Sequence, residues 1–303
     1  MKRAITAALL LALLCGCGLA DDSLPTADGL SPVPAETVQP SPAPTEKTGQ
    51  VQTWEPAEES PEDMVEVKSL VPDVRVELKY SGADNFTGTA LYDFDTAYLR
   101  RGTAEKLAEA QEKLSEYGLS LCIWDAWRPV AAQFALWRAC PDARFVSNPF
   151  NGVTNHCRGN TVDVALVGSD GELIELPSGF DDFSALADRD YSDVSGAVAE
   201  NAGLLEQVMT ESGFTGYFAE WWHYTDTDDY EIVESVTSLP TATADCKEYL
   251  SLRAAPDAAS EALGHVPAGA ELLVLDTVGD FSLVRYCADY GYVMSAYLKY
   301  KLT

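Results

Sequence analysis

Histidine, basic residues and long apolar runs are all scarce in this sequence. Three histidines occur, His156, His223 and His265, so chemistry that needs an imidazole has few places to reside. Lysine and arginine total 20 against 48 aspartates and glutamates, a formal net charge of −28. That balance repels a phosphate backbone and argues against nucleic acid as a partner. The apolar run from Ala4 to Leu14 falls short of the roughly 20 residues that a membrane-spanning helix needs. No long internal repeat is present, which sets solenoids and propellers aside. What remains is a chain of 303 residues, 47% of them hydrophobic, enough for one medium enzyme domain and a small module.

The N-terminus reads as an export signal: Lys2-Arg3, the apolar run, then the small-residue zone Cys15-Gly16-Cys17-Gly18. Leu14-Cys15-Gly16-Cys17 resembles a bacterial lipobox, which implies that residues 1–17 are a lipoprotein signal and that Cys17 carries the lipid. The expected location is extracytoplasmic, with a lipid anchor in the cell membrane. Residues 18–62 are rich in Pro, Ala, Glu, Ser and Thr and poor in large apolar side chains, so they are expected to act as a disordered tether.

The ordered sequence from 63 to 238 mixes periods. Alternation in Val74-Arg75-Val76-Glu77-Leu78 reads as strand, Thr103 to Tyr117 as helix, Leu119 to Trp124 as a buried strand, Pro129 to Ala139 and Ser195 to Ser212 as helices. The expectation is an α+β domain on a small mixed or antiparallel sheet. Leu239-Pro240-Thr241-Ala242-Thr243 interrupts the pattern. From 245 to 303, short strands at 249–253, 272–275, 281–286 and 291–294, set between turns, predict a small all-β barrel.

Two of the three histidines sit near carboxylates at informative spacings. Asp163 follows His156 by seven residues, and His223 follows Glu220 by three in Glu220-Trp221-Trp222-His223. Two imidazoles and one carboxylate, His156, His223 and Asp163, leave open the fourth position that a catalytic zinc needs. Glu220 then remains as a general base beside the metal. Arg128, in Trp124-Asp125-Ala126-Trp127-Arg128-Pro129, follows a buried strand and is placed to face a developing oxyanion. Each element alone also fits a structural role, and an arginine there also fits a salt bridge; it is the two motifs together that point to metal chemistry. Cys157 adjoins a ligand, but neighbouring residues rarely both reach one tetrahedral metal. His265 reads as a turn residue.

These motifs resemble the VanX-type D-alanyl-D-alanine dipeptidases, zinc peptidases related to the D,D-carboxypeptidases. The resemblance runs from about Val65 to Val236 through Asp84-Asn85-Phe86-Thr87-Gly88, the Trp-Asp-x-x-Arg-Pro element ending at Pro129, and His156-x-Arg-Gly-x-x-Val-Asp163. It continues through Gly179-Phe180-Asp181-Asp182-Phe183 and Ser212-Gly213-Phe214 to Glu220-Trp221-Trp222-His223-Tyr224. It implies one zinc held by His156, Asp163 and His223, with Glu220 as base and Arg128 as transition-state stabiliser. It further implies that Asp181 binds the substrate's free amino group and that Thr154 stands where the family has a substrate-binding serine. The tail resembles bacterial SH3-like domains, which implies a cell-wall peptide as partner or, equally, a spacing role.

The expected function is zinc-dependent hydrolysis of D-Ala-D-Ala or a similar free dipeptide outside the cytoplasm, in peptidoglycan turnover. A D,D-carboxypeptidase or endopeptidase on stem peptides and a non-catalytic wall-binding lipoprotein are the alternatives. Export permits disulfides, and Cys246 with Cys287, which flank the barrel strands, is the expected pair.

Overall fold

The computed structural model describes residues 59–301; the signal, Cys17 and most of the tether lie outside the described residues. Two large sheets and one small two-stranded antiparallel sheet organise the described chain. The N-terminal part begins with β1 (Met64–Glu66), β2 (Arg75–Val76) and β3 (Tyr98–Arg100), followed by α1 (Arg101–Ser115), β4 (Ser120–Asp125) and α2 (Val130–Ala139). It ends with β5 (Thr161–Val167), α3 (Gly196–Glu211), β6 (Phe214–Tyr217) and β7 (Glu220–Asp226). Five of these strands form one sheet in the order β2-β4-β5-β7-β6. Only the β2–β4 pairing is parallel. The sheet is therefore mixed, as expected of an α+β domain.

Periodicity explains both long helices. In α1, Ala104, Leu107, Ala110, Gln111 and Leu114 are buried at helical spacing, and the Gln111 carbonyl oxygen Oε1 accepts a bond from the Leu121 backbone at 2.9 Å, tying helix to strand. In α3 the Ser195 hydroxyl caps the first turn by accepting from the Val198 N–H, and Gly213 ends the helix at a φ of +91°. Between helices and sheet, Leu121, Ile123, Val162, Val164, Leu166, Trp221 and Tyr224 fill the core. The alternating run at 74–78 yields only the two residues of β2, because Glu77 already leaves the ladder beyond its bond to Ile123.

The second sheet contains β8 (Thr241–Ala244), β9 (Tyr249–Arg253), β10 (Ala262–Pro267), β11 (Glu271–Val278), β12 (Phe281–Tyr286), β13 (Asp289–Met294) and β14 (Leu298–Tyr300). Its order is β10-β9-β13-β12-β11-β8-β14, antiparallel throughout, compatible with an SH3-like module. The stretch read as an interruption supplies β8, so pairing starts at Thr241, ahead of the boundary drawn at 245. His265 is likewise a strand residue, paired with Ser251, its ring against Tyr249 at 4.1 Å. Residues 59–62, counted with the tether, are pinned to the domain: Pro61 and Glu62 carbonyls accept from Gly102 and Arg100.

The expected Cys246–Cys287 bond is absent; both are free thiols. Cys246 follows β8 and Cys287 sits in the β12–β13 turn, and β11 runs between those strands. Two inter-strand spacings are about 10 Å, beyond the roughly 7 Å between Cα atoms that a disulfide tolerates.

The module packs against α2. Val130, Phe134 and Cys157 share one buried cluster with Phe281, Leu283 and Tyr292. The Tyr292 hydroxyl accepts from Arg138 Nη1 at 2.6 Å, and Arg285 pairs with Glu234.

Candidate metal centre and cleft

Strand register assembles the site. Asp163 on β5 lies directly opposite His223 on β7, and Asp125 on β4 lies opposite Asp163 on its other side, after a bulge beyond Ile123. Three functional side chains thus stand abreast across the middle of the sheet. His156 arrives from the short 3-10 turn Asn155–Arg158, and Gly159 then takes a φ of +77° to lead into β5. The positive φ strains any other residue, and a Cβ there would also meet the Met64 sulfur at 2.8 Å, so the turn favours glycine.

His156, Asp163 and His223 each offer a ligand atom, and these atoms lie within 4.8 Å of one another. The rings of the two histidines are 5.1 Å apart and nearly perpendicular. The Nδ1 of His156 faces the Ala126 carbonyl at 2.8 Å, which leaves Nε2 as the lone-pair nitrogen directed at Asp163, 3.4 Å away. His223 turns Nδ1 to Asp163 at 3.1 Å, and its Nε2 is 3.4 Å from Thr225. Two buried polar atoms here, Nε2 of His156 and Oδ1 of Asp163, make no hydrogen bond. Orphaned donors and acceptors of this kind are costly unless something else satisfies them. An ion bound by two imidazoles and a carboxylate does so, and the donor set suits zinc.

The electrostatics agree. Burial alone would raise the Asp163 carboxyl, but the adjoining His156 and His223 hold it below the usual carboxylate range. Burial acts to lower His223, and Asp163 more than reverses this. Glu220, whose Oε2 is 3.4 Å from His223 Nδ1, is raised by burial. Cys157 is pushed up to about 11 by burial; it stays a thiol in the seam with the module and does not join the ligand cluster.

A cleft of about 440 Å³ brings the remaining residues together: Arg128, Thr154, Asp181 and Glu220 line it beside the triad. Arg128 is buried, with Nε and Nη2 donating to Asp125 Oδ2 at 2.9 and 2.6 Å and Nη1 to Gln133 at 2.8 Å. The Tyr92 hydroxyl donates to the other Asp125 oxygen at 2.9 Å. Asp181 sits at a φ of +54°, a strained position for a residue other than glycine. Both its oxygens accept from the Tyr80 hydroxyl, at 3.0 and 2.9 Å, and burial pushes it up to about 8. The Thr154 hydroxyl faces the cleft with the Cys157 sulfur 3.8 Å away. Asp125, Gln133 and Tyr80 were not among the residues singled out from sequence. Asp125 lies inside the Trp-Asp-x-x-Arg-Pro element and was within reach; the partnership of Tyr80 with Asp181, across 101 positions, left no sequence signal.

Residues 60–239 match a family model described as D-ala-D-ala dipeptidase, and residues 248–299 match the bacterial SH3 domain. The D-alanyl-D-alanine dipeptidase of Escherichia coli (strain K12) is 36% identical over 162 residues, covering 54% of this chain and 83% of that protein. The D-alanyl-D-alanine dipeptidase of Streptomyces coelicolor is 32% identical over 183 residues (54% and 91%), and that of Enterococcus faecalis 31% over 171 residues (50% and 85%).

Proposed function

The chain belongs to the D-Ala-D-Ala dipeptidase family, a metal-dependent enzyme family, and we propose that it hydrolyses free D-Ala-D-Ala or a closely similar dipeptide with zinc. The observation that carries this reading is the convergence, in one cleft, of the His156–Asp163–His223 cluster, Glu220, Arg128 and a buried Asp181. Bound zinc would supply Lewis acidity, polarising the scissile carbonyl and lowering the pKa of a water to about 7. His156, Asp163 and His223 would hold it. Glu220 takes the proton of the attacking water and delivers it to the leaving amine. The Arg128 guanidinium, held by Asp125 and Gln133, stabilises the charge that gathers on the carbonyl oxygen. Asp181 anchors the substrate ammonium, whose charge offsets the burial that otherwise keeps this carboxyl protonated. A peptide extended on its amino side brings no charge to Asp181, which disfavours stem peptides and the carboxypeptidase alternative.

The lipobox-like N-terminus supports an extracytoplasmic, membrane-anchored enzyme acting in peptidoglycan turnover, with the SH3-like module as a cell-wall contact. The deciding assay measures alanine released from D-Ala-D-Ala by the full, zinc-loaded chain. Turnover is expected, is abolished by chelation and returns with zinc; absence of turnover, or cleavage only of a D-Ala-D-Ala-terminated pentapeptide, overturns the reading. Asp181→Asn is expected to lower kcat/KM roughly 30-fold or more, the effect of stranding one partner of a buried charge pair at about 2 kcal/mol or above. An N-acetylated dipeptide should be spared by the unaltered enzyme; if it is cleaved as fast as the free dipeptide, Asp181 is not the amine anchor.

A further inference from the structure

Glu220 and His223 ride on the β6–β7 hairpin at the end of the sheet, where β7 has a neighbour on each side but β6 has only one. An edge hairpin is a poor place to fix a base to a fraction of an ångström unless something else holds it. Arg189 does so. Its side chain is 6% exposed, and four of its five N–H donors make hydrogen bonds, with Glu206 an ion-pair partner beside the fifth. Nε donates to the Tyr217 carbonyl at 2.9 Å, and Nη2 to the carbonyls of Trp221 and His223, both at 3.0 Å. Nη1 reaches the Tyr224 hydroxyl at 3.1 Å and Glu206 at 3.3 Å. The Arg189 backbone N–H adds a bond to the Phe218 carbonyl at 2.9 Å. Four main-chain carbonyls, on both sides of Glu220, are therefore held by one residue.

Gly216 completes the cradle. A Cβ at that position would fall 2.6 Å from Arg189 Nη2 and 2.8 Å from Nε, so the guanidinium occupies the space that a side chain on β6 would need. Arg189 also follows Asp181 by only eight residues, in the same segment. The clamp thus ties the hairpin that carries the base to the segment that carries the amine anchor.

We propose that Arg189 is a positioning residue: by holding the β6–β7 carbonyls it fixes Glu220 and His223 at the distance from Asp181 that puts the base beside the first peptide bond of an amine-anchored substrate. This rests on the dipeptidase reading above. A misplacement of about 1 Å costs on the order of 100-fold in rate. Lysine keeps the charge but has three donors on one atom and cannot span these carbonyls.

The test uses the full metal-loaded chain. Arg189→Lys is expected to lose roughly 100-fold in kcat on D-Ala-D-Ala with little change in KM, and its Co²⁺-substituted form to show altered visible absorption as His223 shifts. Added guanidinium should restore part of the kcat of Arg189→Ala. Gly216→Ala should lower kcat in the unaltered chain yet add no further loss to Arg189→Ala. A folded Arg189→Lys with unchanged kcat and Co²⁺ spectrum overturns the proposal. So does an activity loss that merely tracks the folded or metal-bound fraction, or a Gly216→Ala effect that is fully additive. If the unaltered enzyme fails to cleave the dipeptide, the functional reading falls, while the Co²⁺ spectra of Arg189→Lys and Gly216→Ala still decide the clamp.

Discussion

Replacing Glu220 by glutamine is expected to lower kcat on D-Ala-D-Ala by about 10²- to 10⁴-fold, the range that general base catalysis contributes. Glutamine keeps the size and one hydrogen-bonding oxygen of the side chain but cannot take a proton. Glu220 stands outside the cluster of His156, Asp163 and His223, so metal binding should survive. Its side chain is about 30% exposed at the cleft, so neither fold nor melting temperature depends heavily on its charge. The loss should therefore appear in kcat alone. Steady-state alanine release paired with a chelator titration of bound metal makes the check, and a variant that keeps more than about a tenth of the turnover would remove Glu220 from the role.

Arg128→Met carries two separable costs. Turnover should fall by roughly 100- to 1,000-fold, the effect of losing one oxyanion donor. Stability should fall as well, because the Asp125 side chain is fully buried and keeps only the Tyr92 hydroxyl as a hydrogen-bonding side chain, His156 Nδ1 standing 3.5 Å away and turned to the Ala126 carbonyl. Breaking a buried pair from one side costs about 3–5 kcal/mol, and the surviving Tyr92 bond places the expectation at the lower end. Adding Asp125→Asn to the variant removes the stranded charge. Denaturant unfolding should then recover much of the lost stability while kcat stays low. Recovery of both together would mean that Arg128 serves the fold and not the reaction.

How much of this was legible beforehand follows from the range over which each signal acts. The triad was readable because so few histidines exist and two of them lie near carboxylates, although what brings Asp163 and His223 together is a strand pairing across 60 positions. Helices α1 and α3 announced themselves through local periodicity and fell within two residues of their expected ends. Strand β8 did not, since Pro240 and the short Thr-Ala alternation imitate a linker and gain their meaning only from β11 and β14 on either side. The cysteine pair failed for the same reason: sequence shows that two cysteines flank the strands, and only register shows that β11 separates them. Arg189 left no trace at all, because most of its partners are main-chain carbonyls, which every sequence possesses, and its side-chain partners Tyr224 and Glu206 lie far along the chain.

A small module joined to a catalytic domain is by default free to move and to be exchanged, unless a large apolar interface ties the two together. The seam in which Phe134 and Cys157 meet Phe281, Leu283 and Tyr292 gives this chain a different character. The helix on the far side of that seam begins two residues after Arg128, and Cys157 adjoins His156. A recombination event that traded the C-terminal module for an unrelated one would leave this apolar face bare, immediately behind the reacting groups. The two halves are consequently tied by a common apolar seam, and a new surface on the module is expected to come from remodelling its outer strands, not from replacing it.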